Sequence, residues 1–243
     1  MLPKTHQTAT TGFLLILLAG CRTFGPWRDD PPRPEVNIVF TVERNLLRLP
    51  SVEINGRAGR YFLGSAHPRS VFDPSLITSL AGEKPRLHLT ARESLPLSPV
   101  PIALGPIGDA IIGAEAWGRK SLTIDYYAGL VTYHKSGSYT SDMKLHRFTG
   151  EPSIVIEVDG VRMDAAVDTA LPDTLVMPRG ARPAGRTRAN LRIDEAQFSN
   201  IDIALGNVSH ARIGNRLLSR FLVTIDYGQK QVGLWRDPRI GPP

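Results

Sequence analysis

Asp168 closes a short apolar run, Ala165-Ala166-Val167, and is followed by a hydroxyl residue, Thr169, and a small one, Ala170. A carboxylate held at such a strand end can take a proton from water. The pattern occurs twice: Tyr61-Phe62-Leu63 runs into Gly64-Ser65-Ala66, and here the carboxylate position holds a glycine, which can neither accept nor donate a proton. The two segments lie 104 positions apart, and the same offset relates Gly56 to Gly160, Pro68 to Pro172 and Pro74 to Pro178. Further on the offset becomes 101. It relates Ile102-Ala103-Leu104-Gly105 to Ile203-Ala204-Leu205-Gly206, Gly113 to Gly214, and Thr123-Ile124-Asp125-Tyr126 to Thr224-Ile225-Asp226-Tyr227. One gap of three residues aligns both halves. Register kept over so many Gly, Pro and Asp positions is an internal duplication.

The elements that position these residues read as β. Val36 to Val42 alternates with a period of two, as a half-buried strand does. Val52 to Ile54, Asn55-Gly56 and Arg60 to Leu63 form a strand, a tight turn and a strand, because Asn-Gly supplies the positive φ angles such a turn needs. Ile154 to Val158, Asp159-Gly160 and Met163 to Val167 repeat it. Short helices are expected at Asp73 to Ala81 and Asn215 to Arg220.

An apolar strand entering Asp-Thr/Ser-Gly/Ala, followed in the same lobe by two apolar residues and a Gly, resembles the aspartic peptidases of the retropepsin-like type. The second copy supplies Val167-Asp168-Thr169-Ala170 and Arg212-Ile213-Gly214; the first supplies Leu63-Gly64-Ser65-Ala66 and Ile111-Ile112-Gly113. Phe221 to Tyr227 is similar to the closing strand of bacterial members, and the resemblance covers residues 36 to 237. It implies a mainly β protein of two tandem retropepsin-like, acid-protease-fold β-barrel lobes packed as a pseudo-two-fold dimer. A first lobe at 36–137, a linker at 138–145 and a second lobe at 146–237 are expected, with a tail at 238–243. It also implies that Ser65 and Thr169 hydrogen-bond across the axis, and that flap hairpins near 84–104 and 185–205 close over substrate.

Aspartic peptidases hydrolyse an amide with two carboxylates held so close that they cannot both ionise. Such a pair titrates as a unit. Here Asp168 fills one position and Gly64 the other, so Asp168 lacks the like-charged neighbour and the dyad is incomplete. Losing one member of a catalytic unit costs several orders of magnitude in rate. Ala66 and Ala170, in place of the usual Gly, add a methyl beside the substrate path. The expected function is therefore a peptide-binding or scaffolding pseudo-peptidase with a peptide or protein ligand between the lobes. The rival is an active aspartic endopeptidase in which two chains pair through their second lobes and bring two copies of Asp168 together. A third reading is a purely structural protein, and a turn-capping role stands against the catalytic one for Asp168 itself.

His67 and Asp173 lie near the motif and read first as loop residues, with a place at the cleft mouth as the alternative, and Asp125 and Asp226 read as turn or strand-end residues. The six histidines show no zinc spacing, and no nucleophile elbow, phosphate loop or dinucleotide fingerprint is present. No metal or cofactor is expected. The net charge of +6 owes much to arginine, partly in Arg179, Arg182, Arg186, Arg188 and Arg192. These lack interleaved aromatic residues and a groove-reading helix, so nucleic acid is not an expected partner. A solvated loop is the first reading for them, attraction to anionic lipid or an acidic partner the second.

Residues 1–20 carry Lys4, His6 and the apolar run Phe13 to Leu18, too short for a bilayer core and suited to a signal peptide. The ending Leu18-Ala19-Gly20-Cys21 resembles the lipobox of bacterial lipoproteins, which implies cleavage before Cys21 and lipid on its sulfur; an ordinary secretory signal is the alternative. Cys21 is the only cysteine, so it has no intrachain disulfide partner. Residues 21–35, with Arg28 to Pro34 charged and proline-rich, read as a tether. The expected location is a bacterial cell envelope. Arg22 is not the Asp of inner-membrane retention, which favours the outer membrane in a Gram-negative host.

Overall fold

The computed structural model describes residues 35–134, 143–181 and 187–236, which all fall in one compact unit. The signal peptide, Cys21, nearly all of the tether, the tail, most of the linker, and Arg182 and Arg186 lie outside the described residues. Among those described, no helix is long and apolar enough to cross a membrane.

The protein is mainly β, as the alternation of its sequence requires. In the second copy six strands close a barrel, in the order Ser153–Val158, Val161–Val167, Ala211–Ile213, Leu175–Pro178, Ala196–Gly206 and Arg188–Ile193. The first copy does not close. Its strands divide between an open six-stranded sheet, ordered Thr41–Glu43, Leu46–Arg48, Tyr61–Leu63, Ala110–Ile112, Val71–Phe72 and Val100–Pro101, and a separate sheet of Glu53–Ile54, Arg86–His88 and Ser94–Pro96. Pro96, Pro99 and Pro101 remove ladder donors where the second copy runs an unbroken strand of 11 residues.

Both copies build the same local frame. Tyr61–Leu63 lies parallel to Ala110–Ile112, which lies antiparallel to Val71–Phe72. Ala165–Val167 lies parallel to Ala211–Ile213, which lies antiparallel to Leu175–Val176. The motif loops leave the ends of these buried strands. Gly113 and Gly214 follow, where an added Cβ would come within 2.4 Å of the Arg69 carbonyl carbon and 2.3 Å of the Asp173 oxygen, so only glycine fits.

A third sheet joins the halves: Val36–Val39, Leu130–His134, Ser121–Asp125, Phe221–Asp226, Gln231–Arg236 and Leu145–Arg147. Its central pair comes one strand from each copy, with Thr123 opposite Thr224 and their hydroxyls 3.0 Å apart. Leu122, Ile124, Val131, Val223, Ile225 and Val232 are fully buried on its inner face. The expected strand at 36–42 breaks at Phe40, where the chain leaves this sheet for that of the first copy. The last residue of the expected linker, Leu145, is already in a strand.

The turns follow the sequence. Asn55 and Gly56 have φ of 50° and 74°, Asp159 and Gly160 of 47° and 84°. The helix expected from Asp73 spans Pro74–Ser79, capped by the Asp73 carboxylate accepting from the Ser75 N–H at 3.0 Å. The helix expected at Asn215 ends at Leu218.

Candidate functional site

Ser65 and Thr169 are fully buried and bond to each other reciprocally. The Ser65 N–H donates to Thr169 Oγ1 at 2.9 Å, and the Thr169 N–H donates to Ser65 Oγ at 3.0 Å. Each hydroxyl then donates to the opposite strand, Ser65 Oγ to the Val167 carbonyl at 2.6 Å and Thr169 Oγ1 to the Leu63 carbonyl at 2.9 Å. Both hydroxyls thus bridge the two copies at the ends of the motif strands.

Asp168 is 5 % exposed. One carboxylate oxygen accepts from the Ala170 N–H at 2.9 Å, a turn-capping bond; the other accepts from Arg212 Nη1 at 2.7 Å. Arg212 Nη2 donates to Glu151 at 2.8 Å, and Glu151 also pairs with His210. The partner of Asp168 is therefore a guanidinium, which stays protonated and cannot trade a proton with it. Arg212 sits in the strand Ala211–Ile213, at the position of Ile111 in the first copy.

The first copy is built differently at the same place. A Cβ on Gly64 would lie 2.5 Å from Ile111 Cγ2 and 3.0 Å from His67 Cδ2. The space that holds a carboxylate in one copy holds isoleucine and imidazole atoms in the other. The copies thus carry two self-consistent pairs, Asp168 with Arg212 and Gly64 with Ile111.

The duplicated tyrosines cross between the copies. Tyr227 donates to the Ser65 carbonyl at 3.1 Å. Tyr126 donates to Asn215 Oδ1 at 2.7 Å, and Asn215 Nδ2 donates to the Thr169 and Asn45 carbonyls, each at 2.7 Å. Burial pushes both hydroxyls far above the ordinary tyrosine range, aided at Tyr227 by the charges of Asp168 and Glu115. They remain donors at any physiological pH.

Hairpins form where flaps are expected, yet neither is free. Arg86–His88 pairs with Glu53–Ile54, and Arg188–Ile193 pairs with Ser153–Val158. The second hairpin's turn is fastened by Asp194 to Lys144 at 2.7 Å and His146 at 2.9 Å. Burial works to raise the Asp194 carboxyl, but hydrogen bonds from Lys144 and His146 outweigh it and hold it below the usual range.

Asp125 and Asp226 accept from the Ala128 N–H at 2.9 Å and the Gln229 N–H at 2.7 Å, as turn residues do. His67 is half-buried against Gly64, and Asp173 is half-buried beside Gly214. Arg188 and Arg192 pair with Asp202 and Glu157, and Arg179 is exposed. Among the described residues no group of three His, Cys, Asp or Glu is arranged to hold a metal. Arg212, Glu151, His210 and Asn215 were missed in the sequence. The available signal was the arginine standing where the other copy has Ile111.

No protein-family model matches the chain, and no curated protein matches it.

Proposed function

We propose that this chain is a two-lobed, retropepsin-like pseudo-peptidase that binds peptide or protein ligands, held at a bacterial cell envelope by lipid on Cys21. The observation that carries the reading is the pairing of Asp168 with Arg212 instead of with a second carboxylate. Amide hydrolysis by a carboxylate dyad needs one member ionised and one protonated. Among the described residues Asp168 has no such partner, and at the duplicate position, Gly64, an added Cβ would meet Ile111 and His67. The reciprocal Ser65 and Thr169 bonds, spaced as the duplication requires, support the retropepsin-like frame.

Pairing of two chains through their second lobes would demand more than an encounter. Thr169 would have to release Ser65 and Leu63, and Ser121–Asp125 would have to part from Phe221–Asp226 along five residue pairs. A peptide-array experiment with the full chain tests the binding reading. Selective binding that is weakened by Ile111→Asp, which places a charge beside Gly64, is the expected result. Absence of binding to any peptide, or selective binding indifferent to Ile111→Asp, overturns it.

A further inference from the structure

The interface between the copies is filled on one side and hollow on the other. On the filled side Asn215, 3 % exposed, inserts its carboxamide between the Tyr126 hydroxyl and the Thr169 carbonyl. At the duplicate position stands Ala114, which has nothing beyond a methyl. The backbone there is the same. Gly113 and Gly214, one residue earlier, have φ of −90° and −108° with ψ near 180°, and the Ala114 and Asn215 N–H groups donate to the His67 and Leu171 carbonyls. The side chain alone differs.

Beside Ala114 lies a cavity of about 230 Å³, whose wall includes Ser65, Tyr227 and Gly150. Ser65 and Tyr227 are the duplicates of Thr169 and Tyr126, two of the groups that hold Asn215. The hollow is far larger than the roughly 10–15 Å³ that one water requires. It opens past Gly118 and Lys230, which are exposed. In the absence of a carboxamide the Tyr227 hydroxyl reaches the Ser65 carbonyl directly, at 3.1 Å, longer than the 2.7 Å bonds of the filled side.

We propose that this cavity is a carboxamide site, which takes an Asn or Gln side chain of a peptide ligand. On binding, Tyr227 turns its hydroxyl from the Ser65 carbonyl to the ligand's carbonyl oxygen, and the ligand's NH2 donates to the Ser65 carbonyl in its place, repeating what Asn215 does on the other side. Glu115 and Glu151 are part of the wall, with Lys230 at its mouth, and the charges of Asp168 and Glu115 bear on the Tyr227 hydroxyl, which favours the neutral amide there over an acid of the same shape. The peptide as source of the amide rests on the binding function proposed above; the cavity's preference for an amide does not.

The test is a titration of the full chain with Gly-Gln-Gly, Gly-Glu-Gly and acetamide, read by NMR shifts of residues around Ser65 and Tyr227, in the parent, Ala114→Asn and Tyr227→Phe. Saturable binding of Gly-Gln-Gly at least about 10-fold tighter than Gly-Glu-Gly is expected, weakened in Tyr227→Phe by roughly 5–10-fold. Ala114→Asn fills the hollow from within, so it should abolish binding and raise the melting midpoint by roughly 2–4 °C. Acetamide binding without Gly-Gln-Gly binding would keep the amide site and overturn the peptide as its occupant. Equal binding of the two tripeptides, no binding of any probe, or undiminished binding in folded Ala114→Asn would overturn the site. The rise in midpoint needs no ligand, so it survives if the peptide-binding reading fails.

Discussion

The two copies offer a test of what Asp168 does, because each shows how to build the same position without the other's residues. Arg212→Ile would give the second copy the first copy's isoleucine and leave the Asp168 carboxylate, whose side chain is 7 % exposed, without its cation. Stranding one partner of a buried ion pair costs about 3–5 kcal/mol. Arg212 keeps 24 % of its side chain in water and Glu151 retains His210, which discounts that range to about 2–4 kcal/mol. Asp168→Gly removes the other partner, but Arg212 still has Glu151, and a cost of about 1–2 kcal/mol is expected. The double variant Asp168→Gly with Arg212→Ile reproduces the Gly64 and Ile111 arrangement. It should be more stable than the sum of the single losses by at least about 1.5 kcal/mol, a coupling of the size seen between contacting residues. Urea unfolding of the four proteins at neutral pH measures it. A coupling below about 0.5 kcal/mol would refute the reasoning, since the pair would then be an incidental contact.

Thr169→Val keeps the shape but deprives the buried Ser65 N–H of its acceptor and removes the donor to Leu63, so a loss of about 2–4 kcal/mol is expected in the same assay. Gly64→Asp should not install a working dyad, because its Cβ meets Ile111; a loss of about 1–3 kcal/mol is expected, relieved when Ile111→Ala is added, as thermal unfolding of both variants would show. Asp194, held below its unfolded value, contributes stability that is present above that value and disappears as pH falls through the folded one. The difference in stability between the parent and Asp194→Asn, measured from pH 7 to pH 2, should therefore shrink on acidification.

What was legible in the sequence is what the backbone dictates locally. Asn55-Gly56 and Asp159-Gly160 announce their turns because few other pairs adopt positive φ twice, and Asp73 before Pro74 announces a helix start. The resemblance carried by the duplicated motif, and no local pattern, made Ser65 and Thr169 legible as partners. Side-chain pairing between distant segments was not. Nothing near Asp168 in the chain points to Arg212, 44 residues on, and the element containing it was read for its apolar character and its glycine. The unequal closure of the copies was hidden as well. It goes with prolines that split one long strand into Ser94–Pro96 and Val100–Pro101, and with Glu53–Ile54 and Tyr61–Leu63 lying in different sheets where their counterparts pair in the barrel. The meaning of Ala114 emerges only when Asn215 is seen filling the matching space.

Cleavage of a peptide library by the full chain, from acidic to neutral pH and at several protein concentrations, tests the central claim most directly, with Asp168→Asn in parallel. A carboxylate engaged by Arg212, with glycine at its duplicate position, predicts no cleavage above background at any concentration. Cleavage by the parent that disappears in Asp168→Asn would contradict the account, and a rise with concentration would show that a second chain supplies the missing carboxylate.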